Sequence, residues 1–265
     1  MTIPNFIYGT AWKQAATTRL VEQAIEAGFR AIDTANQIKH YSEALVGEAL
    51  KGIKRKELWL QTKFTSVRGQ HGEKPPYDPT ADLTTQVNQS FLSSLEHLKT
   101  DYVDSYLLHG PYGHPYLGNE DFEVWRAIEA IFKSGKAKSI GVSNMNIYQM
   151  KMLVEKAEIK PAMLQNRCYA SQGWDKEIRD FCKLHDIKYQ GFSLLTANVE
   201  ECNSREVMHL AQKYSVDPAQ IIFRFAYQIG MIPITGTTNQ ERMKKNLTIS
   251  NFELTNDEIL LIENL

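Results

Sequence analysis

Tyr102-Val-Asp-Ser-Tyr-Leu-Leu-His109 is a short apolar run that ends in an imidazole. Four other runs also end in polar chemistry: Ala31-Ile-Asp33, Leu58-Trp-Leu-Gln-Thr-Lys63, Ser139-Ile-Gly-Val-Ser143-Asn144 and Met163-Leu-Gln165-Asn166. Runs of this length and bounding read as buried strands. Together they place an acid, a base, an imidazole and two amide or hydroxyl sets at strand ends. In a parallel barrel every strand points its C-terminal end at one face, and the active site is built there. One shared mouth is therefore expected.

Outward from these runs, short strands alternate with amphipathic helical stretches. Phe6–Gly9 precedes Thr18–Ala27, Ala31–Asp33 precedes Ser42–Leu50, and Leu58–Phe64 precedes Leu83–Leu98. Tyr102–His109 precedes Phe122–Lys133, Ala137–Val142 precedes Ile147–Lys156, and Ala162–Gln165 precedes Lys176–His185. Ile187–Ser193 precedes Arg205–Tyr214 and Pro218–Gln228, Met231–Ile234 precedes Gln240–Leu247, and Thr255–Asn264 closes the chain. Gly28 and Gly135 fall where helix C-caps are needed. Strict alternation implies parallel strands with helical crossovers. No G-x-G-x-x-G follows the first strand, so a Rossmann sheet loses its main support. Eight strand–helix units in 265 residues predict an α/β protein with one domain over 1–265, a (β/α)8 TIM barrel.

The bulk numbers exclude several classes. The chain is 43% hydrophobic and 23% charged, ordinary for a globular protein. A formal charge of −1 gives no general attraction to nucleic acid or an anionic membrane. Cys168, Cys182 and Cys202 are odd in number and form no C-x-x-C pair, which argues for reduced thiols. The start, Met-Thr-Ile-Pro-Asn-Phe-Ile-Tyr, shows no basic region before an apolar stretch. No apolar run approaches the ~20 residues that span a bilayer. A soluble, cytoplasmic protein is expected. No His pair sits with a third ligand at metal spacing, so no metal is expected. Three stretches, Thr65–Asp82, Gly110–Asp121 and Leu194–Ser204, are too long or irregular for simple connections and are expected to cover the site.

Several pieces, in order, resemble the aldo-keto reductase family over nearly the whole chain. They are Gly9-Thr-Ala-Trp12, Asp33-Thr-Ala35, Val46-Gly-Glu-Ala-Leu50, Thr62-Lys63, Asp104–His109, Gly141-Val-Ser-Asn144, Gln165, Phe192-Ser193, and Ile232-Pro233 followed by Arg242 and Asn246. The resemblance implies hydride transfer from a nicotinamide cofactor to a carbonyl carbon, with a tyrosine donating the proton. A free phenol, pKa ~10, is a reluctant donor near neutrality, and a nearby ammonium lowers that value. On this reading Lys63 is the ammonium, Asp33 its partner, and His109 the group that orients the carbonyl oxygen. The tyrosine departs from the family pattern, whose usual position after the aspartate holds Ile38. Counting back from Val46-Gly47 suggests a two-residue insertion in Asn36–Tyr41, so His40 takes the aligned place with Tyr41 beside it. Tyr41 is the favoured donor, and His40 stays open because an imidazolium also protonates an alkoxide.

The resemblance puts Ser143, Asn144 and Gln165 on the nicotinamide carboxamide and Phe192 beneath the ring, with Gly9, Thr10, Ser193 and Leu194 beside them. Thr235-Gly236-Thr237-Thr238 feeds a helix N-terminus, a setting that offers backbone N–H groups to an anion. Arg242 suits a 2′-phosphate and Asn246 the adenine. Ile234 stands where the family often has a lysine, which weakens NADPH against NADH without removing it. NADPH is the expected cofactor, NADH the alternative. Trp12, His40, Phe64, Tyr112 and Tyr116 are expected around the substrate. The ending at Leu265 suggests a more open pocket and broad or bulky tolerance among small-molecule carbonyl substrates. Family analogy suggests a monomer. The competing readings are a cofactor-binding sensor with little turnover and an aldolase using Lys63 as a Schiff base.

Overall fold

The computed structural model describes residues 4–265; Met1–Ile3, part of the N-terminal stretch read above, lie outside the described residues. Eight strands form the wall: β1 (Ile7–Gly9), β2 (Ala31–Asp33), β3 (Trp59–Phe64), β4 (Ser105–Leu108), β5 (Ile140–Ser143), β6 (Met163–Arg167), β7 (Lys188–Phe192) and β8 (Met231–Thr235). All pair in parallel and in sequence order, and β8 pairs with β1, so the barrel closes. Between them run α1 (Thr17–Ala27), α2 (Glu43–Ala49), α3 (Leu83–Leu98), α4 (Asn119–Lys133), α5 (Ile147–Lys156) and α6 (Lys176–Leu184). Then follow α7 (Val199–Cys202), α8 (Arg205–Tyr214), α9 (Pro218–Gln228), α10 (Gln240–Leu247) and α11 (Asn256–Glu263). The expected barrel is the one found.

Helix ends follow side-chain chemistry. Asp82, Asn146, Ser204, Asn239 and Thr255 each accept from a backbone N–H of the first turn of the helix they precede. Gly28 closes α1 at φ 119°, a left-handed conformation that favours glycine. Two cores result. Strand side chains facing outward pack with the helices around Tyr8, Ile32, Leu60, Phe64, Tyr106 and Val142. Those facing inward, Ile7, Ala31, Trp59, Leu107, Met163 and Ile234, fill the barrel below the site.

Some boundaries differ from the sequence reading. The run Tyr102–His109 yields only four strand residues, because Asp104 turns aside to accept from Leu60 N at 2.9 Å and Arg55 at 2.6 Å. His109 stands one residue beyond β4. The expected loop Leu194–Ser204 contains a short helix, α7. Asn198 anchors it, donating to Cys168 O and Leu194 O at 3.0 and 2.9 Å and accepting from Ala170 N at 2.7 Å.

The other two long loops do not line the main cavity. Asp121 gathers Gly110–Asp121 by accepting from Tyr112 N, Gly113 N and Gly118 N at 2.6, 3.1 and 2.8 Å. Thr65–Asp82 holds the segment that carries His40 and Tyr41: Gln37 Nε2 donates to Gly69 O at 2.5 Å, and Gln70 Nε2 donates to Asn36 O at 2.9 Å. These loops buttress the site rather than roof it.

Candidate active site

Gly9, Asp33, Ser143, Phe192 and Thr235 each end a strand and all face one cavity of about 880 Å³. That volume lies in the upper part of the ~300–1,000 Å³ range of small-molecule sites. Asp33, Tyr41 and His109 line it, as do Trp12, Asn144 and Gln165. So do Ser193, Leu194, Gly236, Thr237, Arg242 and Asn246. The cavity takes titratable groups from β2 and from the segments that follow β2 and β4, and a guanidinium from α10.

Lys63 is fully buried beside it. Its ammonium reaches three oxygens at 2.7 Å: Asp33 Oδ1, Asp33 Oδ2 and Thr34 O. Burial pushes the Lys63 pKa down, opposed by Asp33 and then Glu43. The Nζ lies 5.3 Å from the centroid of the Tyr41 ring, and that ring meets the His109 ring edge-on at 5.8 Å. Burial raises the Tyr41 phenol, and the Asp33 carboxylate raises it further. The expected lowering by Lys63 does not prevail, since the ammonium is engaged by Asp33 and the phenol keeps its proton. Burial holds the His109 imidazole well below its ordinary range, with the Lys63, His40 and His71 charges adding to it. Its Nδ1 lies 2.7 Å from Thr65 Oγ1.

His40 sits outside the cavity. Its ring stacks on Trp12 with centroids 3.9 Å apart, and its Nδ1 is 2.7 Å from Gln37 Oε1. Trp12 is 64% exposed and holds φ 62°, so this stack, with the Trp12 N to His40 O bond of 2.7 Å, fixes the rim.

Asn144 and Ser193 also adopt left-handed φ, 57° and 58°, where non-glycine residues are costly and tend to mark functional sites. Asn144 Nδ2 donates to His109 O at 2.8 Å and to Ser143 Oγ at 3.2 Å; the longer bond is the one a ligand carbonyl would displace. Ser143 Oγ donates to Gln165 O at 2.7 Å. At the other end, Asn246 Nδ2 donates to Thr235 Oγ1 at 3.2 Å. The Arg242 side chain is exposed and forms no ion pair among the described residues.

Five expected site residues lie elsewhere, each for a physical reason. Phe64 is one residue past inward-facing Lys63, so it points outward and packs on Tyr77 at 5.6 Å; it is not a substrate wall. Tyr112 and exposed Tyr116 do not line the cavity; Tyr116 pairs with Tyr148 at 5.8 Å. Thr10 is buried behind Asp33, donating to its carbonyl through both N and Oγ1 at 3.0 Å. Thr238 is exposed ahead of the α10 cap and turned off the cavity. Conversely, the sequence reading missed two cations on the cavity wall. Lys13 donates to Gly236 O, and burial lowers its pKa. Lys245 pairs with Asp217 at 2.8 Å. Lys13 adjoins Trp12 in the matching piece, the one signal that could have found it.

Among the described residues no group of three or more His, Cys, Asp or Glu is placed to hold a metal ion. Among the same residues no helix is long and apolar enough to cross a membrane.

A closed parallel barrel with an Asp–Lys pair, a tyrosine and a histidine at one mouth defines a barrel oxidoreductase site. The model of the Aldo/keto reductase family matches residues 7–265, and the chain belongs to that family. Glyoxal reductase of Bacillus subtilis is 32% identical over 242 residues, 91% of this chain and 80% of that protein. The NADPH-dependent alpha-keto amide reductase of Saccharomyces cerevisiae is 31% identical over 272 residues, 95% and 82% of the two chains. A Bombyx mori aldo-keto reductase solved in complex with NADP superposes with TM-score 0.84 at 27% identity, covering 99% of this chain and 89% of that one.

Proposed function

We propose that this protein reduces small reactive aldehydes and ketones to alcohols with NADPH, and that Tyr41 delivers the proton. The observation that carries the reading is the meeting of Tyr41, His109 and the buried Lys63–Asp33 pair at one cavity that Arg242 also lines. When bound, the cofactor supplies hydride to the carbonyl carbon.

The donor set suits that group. Gln165, Asn144 and Ser143 present amide and hydroxyl atoms for a carboxamide, and Phe192 presents an aromatic face. Thr235–Thr237 leads into the N-terminus of α10, and Arg242 has no competing acid. Lys13 adds a cation to the wall, whereas Lys245 is balanced by Asp217; with Arg242, Lys13 offsets Ile234 at the position where a lysine was anticipated and favours NADPH over NADH. The names of the two relatives, a glyoxal reductase and an NADPH-dependent keto amide reductase, support the same substrate class and cofactor.

The residues then divide the work. In the tautomer whose Nδ1 accepts from the Thr65 hydroxyl, neutral His109 carries its proton on Nε2 and can donate it to the carbonyl oxygen. A phenol held up by burial keeps its proton at neutral pH, and an alkoxide is basic enough to take it. Lys63 then stabilises the tyrosinate left behind. Trp12, pinned by His40, walls the substrate end. The three free cysteines fit a reducing, cytoplasmic setting.

The test follows loss of NADPH absorbance with an aromatic aldehyde for wild type, Tyr41→Phe and His40→Gln. Tyr41→Phe should lose about 10²- to 10⁴-fold in kcat, the usual contribution of a positioned acid. His40→Gln should keep kcat and raise KM through a looser Trp12. Loss in His40→Gln alone would move the donor to the imidazole, and a wild type that binds NADPH without turnover would favour a sensor.

A further inference from the structure

Two buried glutamines meet Asp33 inside the barrel, and a third joins them. Gln61 lies two residues before Lys63 on β3, and Gln190 lies two before Phe192 on β7, so the period of two turns both inward. Gln61 Nε2 donates to Asp33 Oδ1 at 2.7 Å and to Gln190 Oε1 at 2.8 Å. Gln165 Nε2 donates to the same two acceptors, at 3.1 and 2.9 Å. Gln190 Nε2 donates back to Gln61 Oε1 at 3.1 Å and faces Met163 Sδ at 3.1 Å. Gln61 and Gln190 have no solvent exposure.

A side-chain amide has a donor end and an acceptor end, and only its neighbours decide which way it points. Here the deciding neighbour is a carboxylate ion-paired with Lys63, which accepts and does not donate. The two amides beside it must turn nitrogen toward it. Each then has one further hydrogen, and both hydrogens converge on Gln190 Oε1. Gln190 is thereby oriented, and its nitrogen returns to Gln61 Oε1. The circuit runs in one sense, and Gln165 feeds both its hydrogens into it. Both N–H hydrogens of Gln165 are engaged below, so the atom it offers to the cavity it lines is Oε1.

We propose that Gln61 and Gln190 are positioning residues for the nicotinamide subsite, holding Gln165 so that it presents an acceptor to the carboxamide amine of the cofactor. The proposal rests on the cofactor reading above. A reversed Gln165 would set Oε1 against the Asp33 carboxylate and an N–H against the ligand's own N–H. Apolar residues at 61 and 190 would leave Gln165 with Asp33 alone and loosen that choice.

The test is equilibrium binding, read by quenching of tryptophan fluorescence, with three probes. These are NADP⁺, its 3-acetylpyridine analogue, which keeps the carbonyl and lacks the amine, and 2′,5′-ADP, which has no nicotinamide. In wild type the analogue should bind about tenfold more weakly than NADP⁺, the worth of one hydrogen bond. In Gln190→Met and in Gln61→Met, NADP⁺ should weaken toward the analogue and the ratio should contract to about threefold or less, with 2′,5′-ADP unchanged. Equal binding of NADP⁺ and the analogue by wild type would overturn the proposal without any variant. A ratio that stays near tenfold in either folded variant would overturn it too. Wild type that binds neither NADP⁺ nor 2′,5′-ADP would defeat the cofactor reading itself.

Discussion

Lys63→Met isolates the electrostatics at the centre of the site. Methionine matches the lysine stem in length, so burial of the apolar part is kept and the change removes mainly the ammonium. Asp33 then loses its cation, both 2.7 Å contacts included, and keeps only the Gln61 and Gln165 amides, both on Oδ1. Breaking a buried pair from one side costs about 3–5 kcal/mol because a charge stays behind uncompensated. Against a typical total stability of about 5–15 kcal/mol that is a large share. The cost must also depend on pH. Without Lys63 the folded state favours a protonated Asp33, raising its pKa above the unfolded ~3.9, so the folded variant binds more protons and loses stability as pH rises. Urea unfolding should therefore show a small deficit at pH 5 that grows toward the full value by pH 8. Asp33→Asn added to Lys63→Met removes the stranded charge and should recover most of the loss, leaving a deficit relative to wild type that does not change with pH. A deficit below about 1 kcal/mol at both pH values would refute the reasoning, as would a double variant no more stable than the single one.

Wild type should lose stability as pH falls through ~6.5, by up to about 1.4 kcal/mol per unit from His109 alone, because only its unfolded imidazole takes the proton there. Denaturant curves of His109→Asn between pH 5 and 7.5 should be flatter by that amount; an unchanged slope would count against a neutral His109. Gly47→Ala would put a Cβ 2.0 Å from the His97 carbonyl oxygen where α2 meets α3, so a loss above about 3 kcal/mol, or roughly 6 °C in a thermal melt, is expected. Arg242→Gln should weaken NADP⁺ about 10- to 100-fold and leave NAD⁺ alone, measured by fluorescence titration; equal losses for both would remove Arg242 from the phosphate.

The alternation of strands and helices was legible because each strand here is buried on both faces and reads as a compact apolar run between polar stretches. The polar residues at the run ends were legible for the same reason: Asp33, Lys63 and Gln165 interrupt hydrophobic segments with side chains that need partners. What a run does not display on its own is which side of the wall each residue faces. Phe64 resembles a pocket wall in sequence, yet sharing β3 with inward Lys63 at odd spacing sends it outward. Tyr112 failed differently, since its place depends on how Asp121 gathers a loop, a long-range choice with no local period.

The same parity that excludes Phe64 identifies the glutamines. Once Lys63 and Phe192 are set inward, Gln61 and Gln190 follow at even spacing, and a polar inward residue in a packed barrel must find hydrogen-bond partners there. For Gln61 that partner is Asp33, whose charge Lys63 sustains, and for Gln190 it is the Gln61 and Gln165 amides. It follows that Lys63 acts at two ends of the chemistry. On the proposed mechanism its ammonium stabilises the phenolate of Tyr41, and on the proposed positioning role it also keeps Asp33 an acceptor and so sets the sense of the glutamine circuit that orients Gln165. Lys63→Met at pH 5, with Asp33 protonated and able to donate, should then shrink the preference for NADP⁺ over its acetylpyridine analogue. Asp33→Asn, whose amide can also turn a donor toward the circuit, should do so at every pH. A preference that survives in both variants would uncouple the acid–base pair from the cofactor subsite.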